Sequence, residues 1–320
     1  MSAFARNAGF TFALALAMGV FVANVRAASA QVESVSAFTN PAELVRQAIA
    51  NEVASSNPDV NFMFRDEMQA ADGSETKLLV ETRDAMVGLL IAKNGRPLTP
   101  EERQAEADRL ERLIRDPAEM KKKEKREKED SERTKRILSA FPDAFLYEAD
   151  GFASGAEGLG AAGDKLVQLK FRPNPEYSPP SHVEQILTGM QGYMLIDSQQ
   201  KRIAKVDGTL VKEVGFGWGI LGHLDRGGHF IVQQADMGQG HWEITQLDLS
   251  FTGKALFFKT LNIKEKEVFS CFQPAPRNLS FAEGVELLKK QEAQMAQNPK
   301  AQTETKTEKI SRAMPRPPGL

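Results

Sequence analysis

The stretch MQGYMLIDSQQKRIAKVDGTL, residues 190–210, decides the fold. Tyr193–Asp197 is a short apolar run, a brief turn follows, and Arg202–Leu210 alternates apolar with polar residues. Strands joined by so short a turn are antiparallel neighbours. The same design continues downstream in Val214–Gly219, His229–Ala235, Trp242–Phe251, Ala255–Lys259 and Val268–Phe272. The connectors Asp225-Arg226-Gly227-Gly228, Gly238-Gln239-Gly240 and Thr252-Gly253-Lys254 are again short and turn-rich, which predicts a meander.

Upstream, Val60, Phe62 and Phe64 alternate, and Lys77–Thr82 follows the turn Asp72-Gly73. Leu89–Ala92 ends at Asn94-Gly95, a tight-turn pair. Phe145–Tyr147 and Leu166–Phe171 flank a loop, Gly151–Asp164, whose small residues predict no packed element. About eleven strands and few helices predict an α+β fold: an open antiparallel β half-barrel packed on helices.

Three helix starts share a cap, a proline and a glutamate three positions after the cap: Asn40-Pro41-Ala42-Glu43, Thr99-Pro100-Glu101-Glu102 and Asp116-Pro117-Ala118-Glu119. The cap oxygen accepts from an unpaired N–H, proline costs no donor at the first helical position, and the acid complements the helix dipole. With the capping boxes Ser181/Glu184 and Ser280/Glu283, the expected helices are 41–56, 100–115, 117–140, 182–190 and 281–297. Glu101–Arg136 carries 12 acids and 13 bases. It reads as a charged helical-hairpin insertion, 100–140, protruding from the sheet. Acid-before-base spacings Glu119/Lys123, Glu124/Lys128, Glu129/Arg133 and Glu132/Arg136 support it, and the cluster Lys121, Lys122, Lys123 is its candidate patch for a partner or lipid headgroup.

Arg6 precedes an apolar stretch, Phe10–Ala23, and Ala28-Ser29-Ala30 offers small residues for cleavage after Ala30. Residues 1–30 are thus expected to be a signal peptide, too short in its apolar part to span a bilayer. Its removal takes away two arginines and no acid, so the net charge moves from −2 to −4. Residues 31–297 then form a single domain, and the polar, proline-containing tail 298–320 is expected to be disordered. The expected compartment is the periplasm. A chain of this charge is no nucleic-acid coat, though peripheral membrane contact remains open.

One cysteine, Cys271, excludes an internal disulfide and reads as a small buried hydrophobe. His182, His223, His229 and His241 show no ligand spacing, so no metal and no cofactor are expected. Gly217-Trp218-Gly219-Ile220-Leu221-Gly222 matches the dinucleotide fingerprint in letters only, because another turn and strand follow it rather than a helix. No nucleophile elbow is present, Ser181 is better placed as a cap, and no catalytic set emerges, so no enzyme is expected. The sheet half has an apolar surplus, which permits either a filled core or a cavity lined by Phe216, Trp218, Phe230, Trp242 and Phe257.

Thr188–Asp197 and Arg202–Leu210, a strand ending in Asp followed by a basic-apolar strand with Gly208, resemble the periplasmic lipoprotein-localisation carriers (LolA/LolB-like). They resemble more closely uncharacterised exported acidobacterial proteins of that shape. Asn94–Glu102 and Val214–Leu224 fit the same resemblance, which covers roughly residues 41–297. It implies an unclosed antiparallel barrel wrapped on helices, with an apolar interior that in the carriers holds acyl chains. The charged insertion departs from the compact carriers, and their functional arginine matches no position here. The expected function is therefore a non-enzymatic periplasmic protein binding a lipid or lipoprotein acyl chain, with helix 182–190 as a lid. The alternative is an envelope-stress sensor or scaffold that holds an envelope protein through the charged arm.

Overall fold

A computed structural model describes residues 40–54, 60–216, 222–255 and 259–297. The expected signal peptide 1–30, the tail 298–320, Trp218 and Phe257 lie outside the described residues. The chain begins with α1 (Pro41–Ala54), followed by β1 (Asn61–Ala70), β2 (Gly73–Val80), β3 (Val87–Lys93) and the short β4 (Arg96–Pro97). The charged segment forms α2 (Pro100–Arg115) and α3 (Pro117–Ala144), and β5 (Phe145–Ser154) and β6 (Lys165–Pro173) come next. A 3₁₀ turn, Glu184–Gly189, leads into β7 (Met190–Asp197), β8 (Ile203–Leu210), β9 (Val214–Phe216) and β10 (Gly222–Leu224). The chain closes with β11 (His229–Asp236), β12 (Trp242–Ala255), β13 (Lys259–Ala275) and α4 (Phe281–Gln297).

All thirteen strands join one sheet in the order β4-β3-β2-β1-β13-β12-β11-β8-β7-β6-β5, with the β9–β10 hairpin attached to β12. β4 and β5 end the path without pairing to each other, so the sheet is open, as the α+β half-barrel expectation requires. The meander forms in part: β8 pairs directly with β11, while Val214–Phe216, expected as the strand after β8, pairs instead with β10 off the main path. β13, however, is one 17-residue strand where only Val268–Phe272 was expected. Ala255 and Lys259 of the expected strand Ala255–Lys259 instead end β12 and open β13, and β13 pairs with β1 from the other end of the chain.

The helix caps form as their sequences dictate. Thr99 Oγ1 accepts from Glu102 N at 3.2 Å while Glu102 Oε2 accepts from Thr99 N at 2.9 Å, and Asp116 Oδ1 accepts from Ala118 N at 2.9 Å. α3 runs to Ala144, past Pro142, and Asn174 caps the end: its N–H donates to Ala144 O, its Nδ2 to Asp143 O, each at 2.9 Å.

The inner sheet face carries the main core. Leu44, Val45, Ala48 and Ile49 of α1 and Leu138 and Phe141 of α3 pack there on Phe64, Leu79, Leu169, Met194, Val206 and Leu247. On the opposite face, α4 and α2 cover β2 and β3 through Val285, Leu288 and Leu110, which meet Leu78, Val80 and Leu89. Leu166 and Leu195 alternate with the inner-facing Val167 and Met194, so their small cluster with Ala204 and Trp242 also lies on the outer face.

Five local expectations are corrected. The charged hairpin does not stand away from the sheet: it lies along the free edge of β3. Leu90 N donates to Glu106 Oε1 at 2.9 Å, Met86 N donates to Glu127 Oε2 at 3.0 Å, and Arg109 Nη2 donates to Gly88 O at 2.7 Å. The ion pairs on α3 include Lys123–Glu127 and Lys125–Glu129, base before acid, because Glu127 must also face the strand. The Gly151–Asp164 loop docks over the outer cluster, with Gly160 N donating to Gln234 O at 2.8 Å and Thr245 Oγ1 to Gly158 O at 2.6 Å. Its small residues are what allow that approach: a Cβ on Gly155 would meet Ala161 O at 1.9 Å. The lid helix is a 3₁₀ turn held by buried Leu187 and Glu184, and Cys271 is exposed at a β13 bulge with φ +57°.

α1 is held by a buried ion pair. Arg202 Nε and Nη2 donate to Glu52 Oε1 and Oε2 at 2.9 and 3.0 Å, and Ile203 N donates to Glu52 Oε1 at 2.9 Å. Both side chains are almost fully buried, so removing one strands the other charge. Glu52→Ala is expected to lower stability by about 3–5 kcal/mol in urea unfolding, and Glu52→Leu with Arg202→Met to recover most of it. A single variant no worse than the double would contradict this account.

Candidate functional site

Antiparallel partners share a sheet face, so the register identifies rows of inner side chains. One row runs Met194, Val206, Val232, Leu247, then Glu267, Met68 and Glu75, from β7 across β8, β11, β12, β13 and β1 to β2. The next runs Gly208, Phe230, Leu249, then Glu265 and Ala70. A third pairs Phe251 with Ile263. In the first two rows the face is apolar up to β12 and acidic at β13, one strand spacing of about 4.8 Å away.

Glycines seat the large rings. A Cβ on Gly208 would sit 2.3 Å from Phe230 Cε1, and one on Gly228 2.3 Å from Phe251 Cδ1, so both rings lie over bare backbone. Phe230, Val232, Phe216, Leu224 and Ile263 are only half-buried, packed beside the main core rather than inside it. They form a partly uncovered apolar margin of the inner face.

The acidic side is buried more deeply. Asp66 on β1 is opposite Phe269 and Lys77, which places it on the inner face with Glu265 and Glu267. Asp66 is 1% and Glu267 4% exposed. Burial raises the Asp66 carboxyl to about 6, against the opposing pull of Lys77, and raises Glu267 to about 8, with the charges of Asp66 and Glu265 adding to it. Burial likewise raises Glu265. Lys77 is paired to Glu75 at 2.9 Å. A second group, Glu81 and Glu243, is pushed up to about 8 and about 7, chiefly by burial, and Glu127 adds to the shift at Glu81.

Of the five residues expected to line a cavity, Phe216 and Phe230 each pack against the main core at its margin. Trp242 does not: it sits in the outer cluster beneath the Gly/Ala loop, its indole N–H donating to Gln200 Oε1 at 2.8 Å. An aromatic at a strand end can serve either face, and here Arg202 and the loop claim it. Trp218 and Phe257 lie outside the described residues. In the arm, Lys121 and Lys122 are exposed, but Lys123 is half-buried and paired with Glu127 at 2.6 Å.

Asp66, Glu265 and Glu267 escaped the sequence reading because residues 261–267 were not assigned to a strand. Their signal was present in Ile263-Lys264-Glu265-Lys266-Glu267-Val268-Phe269, where charge sign alternates at the period of a strand. His223 also gains partners that spacing hid. The β9–β10 hairpin brings Glu213, His223 and Asp225 together, one ligand atom of each within 4.8 Å of the others, a half-exposed group that could hold a cation. Asp207 lies 3.0 Å from His229 Nε2 and 3.1 Å from Lys205 Nζ, an ion-pair network with no open acceptor chemistry. Gly222 opens a strand, which removes the dinucleotide fingerprint.

No protein-family model matches the chain, and no curated protein does. Among solved structures, a DUF1329 family protein from Desulfovibrio piger is similar at 10% identity, over 75% of this chain and 95% of that one, with a TM-score of 0.24. An overlap of that size carries no inference about ligand or mechanism.

The raised carboxyls set a pH dependence. Folded Asp66 and Glu267 bind protons more tightly than their unfolded counterparts, whose ordinary values are 3.8 and 4.5. The stability they allow is complete below about pH 4 and falls as pH rises towards about 8. Melting temperature is expected to decline across that window, and Glu267→Gln to flatten the decline by several degrees at its alkaline end. An unchanged slope in a folded variant would refute the assignment.

Proposed function

We propose that this is an exported, non-enzymatic protein whose inner sheet face binds the acyl chain of a lipid or lipoprotein. The observation that carries this reading is the half-buried margin of Phe216, Leu224, Phe230, Val232 and Ile263 on an open sheet. An apolar surface left partly uncovered beside a closed core gains about 25 cal/mol per Å² when a hydrocarbon chain covers it. The N-terminal leader pattern supports export to the periplasm. Among the described residues no helix is long and apolar enough to cross a membrane. The scaffold alternative has less support, since one lysine of its three-residue patch is already paired within the arm.

The test is mass spectrometry of organic extracts from residues 31–320, purified gently from a periplasm, with titration of a fluorescent acyl probe that has a neutral head group. Stoichiometric lipid and probe uptake are expected. Phe230→Ala removes a contact worth about 1.4 kcal/mol, so it should weaken the probe about tenfold while leaving the fold intact. A protein that carries no lipid and takes up no probe would overturn the reading.

A further inference from the structure

We propose that the acidic rows beside the apolar margin bind an ammonium group, so that the ligand of this face is a cationic-headed amphiphile. This deepens the acyl-binding reading and rests on it. The geometry supplies both halves of such a ligand's contacts in adjacent strands: Leu247 is opposite Glu267, and Leu249 is opposite Glu265, with Asp66 one strand further on. A chain lying along Phe230, Leu249, Phe251 and Ile263 would place its head at the three carboxyls.

Two buried oxygens there have no hydrogen-bond partner among the described residues, Asp66 Oδ1 and Glu265 Oε2. Buried carboxylate oxygens ordinarily find a donor, and a bare one costs about 1–3 kcal/mol or more. The cation acting on all three acids is Lys77, and its ammonium is already paired with Glu75. Three acids against one shared lysine leave the site short of positive charge. An ammonium head that reached these buried oxygens would supply them with donors and neutralise the group. A carboxylate or phosphate head would meet repulsion from the same groups.

The groups facing Asp66 and Glu267 are Lys77 and Glu75 from β2, Glu67 from β1 and Glu265 from β13. Because burial holds Asp66 and Glu267 partly protonated near neutrality, ammonium binding must release protons, and affinity should rise with pH through that range.

The experiment titrates residues 31–320 by calorimetry with three amphiphiles sharing one tail, used below their micelle concentrations: dodecylammonium, dodecanoate and dodecyl maltoside. Dodecylammonium is expected to bind at least about tenfold more tightly than the neutral maltoside, a difference of about 1.4 kcal/mol, and dodecanoate more weakly than either. The Asp66→Asn, Glu267→Gln double variant should erase the preference while keeping maltoside affinity. Glu265→Gln, at a half-buried position, is a milder variant that should halve the preference or more. Equal binding of all three heads, or tighter dodecanoate, overturns the ammonium site and leaves acyl binding standing. Binding of none overturns both.

Discussion

The pairing of β1 with β13 is the constraint on which the rest of the structure depends. It joins the N-terminal β1–β3 unit to the meander that begins at β7, across a chain separation of some two hundred residues. Loop-closure entropy grows only logarithmically, so such a contact costs little more than a shorter one in stability, although it forms late in folding. Without it there would be two small sheets, each with a bare edge. With it there is one continuous sheet, and the inner rows of β12 and β1 become neighbours through β13. The apolar margin and the acidic group owe their adjacency to this one seam.

The two ends of that sheet are treated differently. At the β3 end, the charged hairpin lies on the free edge, and Glu106, Arg109 and Glu127 satisfy backbone groups that another chain's strand would otherwise claim. A segment with as many acids as bases suits that role, because it can offer both acceptors and donors to an edge that presents alternating N–H and C=O groups. Its apolar residues at either end then anchor it, Leu110 on the outer face and Leu138 and Phe141 on the inner. The same arm therefore connects the two faces of the sheet, and the Glu52–Arg202 pair pins α1 against it from the other side.

The inner face holds a physical tension. Its apolar part packs as a core does, yet its acidic part buries carboxyls whose ionised forms the surroundings disfavour. Well-packed apolar residues would serve stability better at those positions. Carboxyls held there at such cost make sense where something outside the chain completes them, which is why the functional proposals centre on this border rather than on the histidines or the exposed lysines.

Much of the architecture was legible from local chemistry. The caps at Asn40, Thr99 and Asp116, the turns after Asp72 and Asn94, and the short connectors of the meander each specify their own backbone, because a cap or a tight turn involves residues only a few positions apart. Phe230 was legible as an inner residue for the same reason. The sequence by itself determined α1 to α4 and most of the strands, though not β10 or residues 261–267 of β13, and that hairpin-connected strands run antiparallel. Only the tertiary structure decided that β1 meets β13, that the charged hairpin seals an edge instead of protruding, that Trp242 turns to the outer face, and that Asp66, Glu265 and Glu267 converge. Those outcomes depend on contacts between residues distant in the chain, and the alternation of a strand says which residues share a face without saying which strand lies beside it.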